Sequence, residues 1–272
     1  MKLLSCIIIF IIVCCPLFYN EPTFMPSTAQ IEHALTIEAP TELCCGVQGA
    51  AFDGEYFYIA FIDISDPYEK AIVVKTDKEG NEVNRSEVLP LGHANSITIL
   101  EDGNIMIAHC HYQGEFYNRL SVLDKDSLEI ISTTDLAEPF MSIAYSDKKD
   151  QFVSGEWDGK KINVHNDDLD YSHSFEVEYL SDSIPQSYYC TDYAIYSVRV
   201  VIDGGFQNYL YAYSYEGETL LEYKLDLPSE YEAEAVSVID NEMYIICGSN
   251  SKCEIFKITE LIKPKLKRLV DW

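Results

Sequence analysis

Positive charge is scarce in this chain. Against 45 aspartates and glutamates stand 19 lysines and arginines, a formal net charge of −26 over 272 residues. A surface so acidic repels phosphate backbones, so nucleic acid is not expected as a partner. Even these few cations are uneven: "KPKLKR" (263–268) holds four of them, a run suited to an anionic surface or to screening the acidic body. Histidine numbers six and tryptophan two. The sequence has no HExxH or other zinc spacing, no nucleophile elbow, no glycine-rich phosphate loop and no EF-hand spacing. No cofactor and no metal are therefore expected, and a non-enzymatic protein is the better reading. Runs of ten or more residues with a 3.6-residue period are missing as well, which argues against a helical repeat.

Apolar residues are plentiful, at 47%, and 20 tyrosines and 12 phenylalanines favour strands. Lys2 precedes "LLSCIIIFIIVCCPLF" (3–18), an uncharged run that reads as a signal peptide with cleavage after Ala29, or as a retained N-terminal anchor with Cys14 or Cys15 as a lipid-bearing cysteine. This divides the chain into a leader (1–29), a body (30–262) and a basic tail (263–272). A secreted or cell-surface protein is expected, touching a membrane only through an uncleaved leader. Three of nine cysteines fall in the leader; in the body, Cys247 and Cys253 flank the turn "GSNSK" and could close a hairpin.

The body repeats. "QGAAFDGEYFYIAF" (48–61), "NSITILEDGNIMIAH" (95–109), "MSIAYSDKKDQFVSG" (141–155), "QSYYCTDYAIYSV" (186–198) and "EAVSVIDNEMYIICG" (234–248) each give an alternating run, a turn with aspartate and a second apolar run. The turn residues Asp53, Asp102, Asp147, Asp192 and Asp240 recur about every 46 positions. Asp-Gly and Asp-Asn turns suit tight hairpins because these residues accept positive φ. A second strand-turn-strand follows the first four pairs. Four strands per period predict an all-β, five-bladed β-propeller, and "HALTIEAPTE" (33–42) is predicted to complete the short fifth blade and close the ring. Closure removes the open edges through which sheets associate, so a monomer is expected.

In such a ring the start of each first strand and the end of each second strand share one mouth of the channel. This rule collects Gln48, His93, Asn95, His109, His111, Glu156, Trp157, Gln186, Arg199 and Glu234 as candidate ligand-binding residues. The aligned first-strand starts are Gln48, Asn95, Met141, Gln186 and Glu234, four of them polar where a packed core would hold Val or Ile. A channel merely filled by polar groups and water is the competing reading. His93, His109 and His111 could supply three metal nitrogens but suit hydrogen bonding better. Glu156 and Glu234, or Asp63 and Glu232, could face each other across the channel as a glycosidase pair. Trp157, between Glu156 and Asp158, suits a sugar face or interblade packing.

Gln48-Gly49 and Gly92-His93-Ala94-Asn95 resemble the repeats of secreted bacterial five-bladed propellers related to helveticin J. The resemblance implies binding at a bacterial cell surface, in some cases bacteriocin-like, and brings no catalytic residues. A likeness to plant-type glutaminyl cyclases stops at Val47-Gln48-Gly49. The expected function is thus binding of a glycan or other cell-surface ligand at one mouth. The alternatives are a glycoside hydrolase and a protein-interaction scaffold.

Overall fold

The computed structural model describes residues 27–261 apart from 68, 110–114, 116, 139, 181, 240, 241 and 250; at 27, 239, 260 and 261 only the backbone is described. The described chain is built of strands. After β1 (Ser27–Glu38), the strands β2 (Cys44–Phe52), β3 (Phe57–Asp63), β4 (Ala71–Thr76) and β5 (Glu82–Arg85) form an antiparallel four-stranded sheet in chain order. The next sheet is β6 (Ser96–Ile99), β7 (Ile105–Ala108), β8 (Arg119–Leu123) and β9 (Ile130–Asp135), and the third is β10 (Ser142–Ser146), β11 (Gln151–Gly155), β12 (Lys161–Asn166) and β13 (Tyr171–Glu176). A larger sheet joins β14 (Ile184–Cys190), β15 (Ile195–Ile202), β16 (Phe206–Tyr213) and β17 (Thr219–Leu225) to β18 (Glu232–Ile239), β19 (Glu242–Ser249) and β20 (Lys252–Leu261), with β1 between β17 and β20.

The hairpin aspartates act locally. Asp53 accepts the amides of Glu55 and Tyr56 at 2.8 and 2.7 Å, and Gly54 beside it sits at φ 99°. Asp102 accepts the amide of Asn104 at 2.9 Å, with Gly103 at φ 84°. A side-chain oxygen that takes the amides beyond it fixes a tight reversal, and glycine supplies the left-handed residue at little steric cost. Asp147 instead opens a single 3₁₀ turn, and Asp192 pairs with Lys148. Asp240 lies outside the described residues.

Burial follows position in the sheet. Every residue of β4, and six of seven in β3, is buried, which explains why "FYIAFI" and "AIVV" read as continuous apolar runs rather than alternations. The outer strands β5, β9 and β13 are largely exposed and polar. The apolar core lies between successive sheets: Tyr58, Ala60, Ile105 and Ile107 join the first to the second, and Val153, Ile162, Tyr211 and Tyr213 the third to the next. The first strands contact one another in a closed cycle, β2 to β6, β10, β14, β18 and back to β2.

β1 pairs antiparallel with β20 from Ala29–Leu261 to Glu38–Lys252, and parallel with β17 through Ser27–Tyr223, Thr28–Lys224 and Ala29–Leu225. The N-terminal strand therefore starts at Ser27, ahead of the stretch 33–42 that suggested it. The hairpin disulfide does not form. Cys253 is paired with Gly248, one residue beyond Cys247, and alternation turns the two thiols to opposite sheet faces, Cys247 into the cluster with Phe256 and Cys253 into the cluster with Phe52.

Candidate functional site

Several polar residues of the first strands tie one first strand to the next around the channel. Asn95 Nδ2 donates to the carbonyl of Met141 at 2.6 Å, and Ser96 Oγ to that of Ile143 at 3.0 Å. Thr98 Oγ1 accepts the amide of Tyr145 at 2.8 Å. Gln186 Nε2 donates to Glu232 Oε1 at 3.0 Å, and the hydroxyl of Tyr189 to the carbonyl of Val238 at 2.9 Å. These partners lie 46 to 49 residues apart, so the sequence period reappears as the spacing of the ties. Buried polar groups favour partners, and for these five the neighbouring first strand provides them.

The stretch Gly92–Asn95 is one such joint. Gly92 at φ 60° and Ala94 at φ 46° turn the backbone tightly, and a Cβ on Gly92 would meet the carbonyl oxygen of His109 at 2.8 Å. The amides of His93 and Asn95 donate to the carbonyls of His109 and Ala108 at 3.0 and 2.8 Å. His93 and His109 are thus neighbours through the backbone, but their rings diverge. His93 Nδ1 bonds the carbonyl of Pro67 at 2.6 Å, whereas the buried His109 ring bonds Ser121 Oγ through Nε2 at 2.9 Å. Burial, helped by Arg119, pushes the pKa of His109 down to about 4, so its ring is neutral at pH 7. His111 lies outside the described residues. Among the described residues no group of three or more His, Cys, Asp and Glu side chains has a metal-binding arrangement.

Arg199 is fully buried. Its Nε donates to Ser183 Oγ at 2.8 Å, Nη2 to the carbonyl of Ser183 at 2.9 Å and Nη1 to that of Gly159 at 3.3 Å, while the guanidinium lies 3.8 Å from the centre of the Tyr179 ring. The cation is spent on fastening two loops. Gln48 is half-buried on β2 beside the register irregularity between Val47 and Ala50. Glu234 is buried, and its carboxyl is held well above the usual range by loss of water, with the charge of Glu232 adding to the effect; burial also raises Glu232.

Glu156 and Trp157 go elsewhere. They line a cleft of about 770 Å³ between the loop that follows β9 and the outer strands β12 and β13 of the third sheet, with Phe140, Asn163, His165 and Tyr171. Trp157 is 46% exposed and Tyr171 63%. Asn163 donates to Glu156 Oε1 at 3.3 Å, and Lys161 and Asp170 complete the polar rim. The pair His165–Ser154, at 2.8 Å, repeats the His109–Ser121 arrangement and holds the cleft floor beneath Phe140, whose ring centre is 4.7 Å from that of His165. The turn "HNDDLD", a weak calcium candidate by composition, closes on itself: Asn166 Oδ1 accepts the amide of Asp170 at 2.8 Å and Leu169 takes φ 66°. The sequence signal for this cleft was present in β12, where Lys161, Asn163 and His165 alternate on one face.

The sequence matches no protein-family profile and no curated protein. Among solved structures, the chain is similar to the tail fiber of a Staphylococcus aureus phage, at 13% identity and a TM-score of 0.62 over 84% of this chain and 52% of that one. It is also similar to the β-propeller domain of Myceliophteria thermophila Cps50 (Swd1), at 10% identity and a TM-score of 0.52 over 85% of this chain and all of that one. The fold is a β-propeller. The chain spans about half the length of the tail fiber, and the likeness is one of fold.

The first strands of a propeller line its channel and run in one direction, so their starts mark an entry face and their ends a turn face. The ties of Asn95, Ser96 and Gln186 and the carboxyl of Glu234 lie toward the entry face, those of Thr98 and Tyr189 toward the turn face, and the cleft has its Trp157 end on the entry side. The open part of the channel lies toward the turn face, a cavity of about 410 Å³ lined by Phe52, Ile99, Tyr145 and Tyr189 and bordered by Asp53 and Asp192. The ten sequence candidates therefore do not share one pocket: Glu156 and Trp157 share the lateral cleft, while Asn95, Gln186 and Arg199 are bonded within the protein.

Proposed function

We propose that this protein is an exported, five-bladed propeller that binds a glycan or cell-wall polysaccharide without chemically changing it, acting as a monomer. The count of five rests on the closed cycle of first strands and on β1 as the fourth strand beside β18, β19 and β20. One observation carries the binding reading: Trp157 and Tyr171, both exposed, share a cleft with Phe140, a carboxylate, an amide and a lysine. Aromatic faces take the apolar face of a sugar, and the polar rim suits its hydroxyls. The cleft replaces the channel mouth as the binding site in this reading. A relation to the helveticin J-like propellers is proposed on Gln48-Gly49 and Gly92–Asn95. The hydrolase reading fits less well, because Glu156 lines the cleft and Glu234 is buried beside the channel.

The test is binding of the full chain to a panel of glycans and purified cell-wall polysaccharides. Trp157→Ala and Tyr171→Ala are each expected to weaken binding at least tenfold with an unchanged melting temperature. Ligand binding that both variants retain would overturn the assignment to the cleft.

A further inference from the structure

The cavity at the turn face is separate from the Trp157 cleft, and no residue lines both. Four first strands end on it, with Ala50 and Phe52 from β2, Ile99 from β6, Tyr145 from β10 and Tyr189 from β14. Its volume of about 410 Å³ is in the range of small-molecule sites. Ile99, Tyr145 and Tyr189 are half-buried, so part of each surface stays open to water. Both tyrosine hydroxyls are engaged: that of Tyr145 donates to Asp150 Oδ1 and that of Tyr189 to the carbonyl of Val238, each at 2.9 Å. The walls are held in place and offer mostly carbon to a ligand.

Charge at the rim is one-sided. Asp53, Glu101, Asp147 and Asp192 border the cavity, against Lys148 alone. Lys148 is paired with Asp192, and the neighbouring Lys149 lies over the Tyr215 ring, 4.3 Å from its centre. Asp53 spends Oδ1 on the amides of Glu55 and Tyr56 and Oδ2 on the hydroxyl of Tyr58. Glu101 and Asp147 are exposed, and among the described residues their carboxylates accept no hydrogen bond and make no ion pair. Both act on the Tyr145 hydroxyl, whose pKa is pushed up to about 12 by burial first and then by Asp150, Glu101 and Asp147. The two uncommitted charges are therefore gathered around one wall. A recess with apolar walls and charges of one sign concentrates counter-ions.

We propose that this cavity binds a small organic ammonium ion, its apolar body against Tyr145, Tyr189 and Ile99 and its head donating to Glu101 and Asp147. An ammonium only donates and a carboxylate only accepts, so the two complement each other. A bare metal ion gains nothing from the apolar walls, and a neutral ligand with the same body leaves both carboxylates without a counter-charge. The site stands apart from the glycan reading, and the two ligands bind independently.

The test is titration calorimetry of the full chain with phenethylammonium chloride at pH 7 in low salt, beside 2-phenylethanol and calcium chloride. One phenethylammonium per chain is expected, bound at least tenfold tighter than the alcohol and more weakly as sodium chloride screens the carboxylates. A Glu101→Gln, Asp147→Asn variant is expected to lose at least tenfold in affinity. Ile99→Trp fills the cavity without touching the rim charge and is expected to lose binding. Thermal melts check that both variants fold, and if Ile99→Trp does not, the charge variant carries the test. Trp157→Ala is expected to bind the amine as the parent does. Tighter binding of phenethylammonium than of Nα-acetyl-lysine amide assigns the site to a free amine, and the reverse to a basic side chain of a protein; both support recognition of a cation on an apolar stem. Absence of binding, equal affinity for the alcohol, or binding that survives both substitutions overturns the proposal. So does calcium that displaces the amine and binds more tightly, which would reduce the site to charge alone.

Discussion

The amide of Gly49 donates to the carbonyl of Ala94 at 2.9 Å, so two short motifs 45 positions apart in the chain meet at one joint between successive sheets. A Cβ on Gly49 would stand 2.6 Å from that carbonyl oxygen and 2.9 Å from Ile97 Cγ1. The resemblance carried by these motifs thus reports a structural joint.

Gly49→Ala should accordingly destabilise the protein by about 1–3 kcal/mol, the usual cost of forcing atoms into a packed site. Urea denaturation would show a lower midpoint with an unchanged slope. An unaltered midpoint would mean that the joint yields freely.

Arg199→Met removes a buried cation with three donors in use and leaves Ser183 and Gly159 short of partners. A loss of about 2–4 kcal/mol is expected from hydrogen bonds to a charged group. Arg199→Lys should recover little of it, because an ammonium cannot reproduce the planar fork or its stacking on Tyr179. Thermal melts of both variants test this.

His109 gives a pH dependence with a defined sign. Its folded pKa of about 4 lies below the unfolded value near 6.5, so between these limits the unfolded chain binds the extra proton. Its contribution is fully present above about pH 6.5 and is lost as pH falls toward 4, a change on the order of 3 kcal/mol. His109→Gln should remove this part of the slope in urea titrations between pH 4 and 7.

Glu234 works in the opposite direction. Burial raises its folded pKa well above the ordinary carboxyl value, so the folded protein holds a proton that the unfolded chain releases above about pH 4.5. Its protonated form favours folding at low pH, and this contribution is lost as pH rises toward the folded pKa. Glu234→Gln should therefore match the parent near pH 4 and exceed it in stability at pH 8. A variant weaker than the parent at pH 8 would show that the ionised carboxylate is needed.

The repeat, the hairpin turns and the strand-rich propeller were legible in the sequence because their causes are short-ranged. An aspartate that takes the amides two and three residues ahead, as Asp53 does, declares a turn by itself, and continuous runs such as "FYIAFI" declare a strand covered on both faces. The same rules gathered the polar strand starts but could not say where their hydrogen bonds go. Whether Asn95 faces a ligand or the carbonyl of Met141 depends on how closely the next sheet approaches, and whether Arg199 reaches a mouth depends on the loops that close over it. Trp157 and Tyr171 line one cleft because the β12–β13 hairpin lies along it. Cys247 and Cys253 part because strand register assigns them opposite faces. Backbone preference and alternation act within a few residues and determined the strands; the partners of buried polar groups are chosen between sheets, and only tertiary packing decided them.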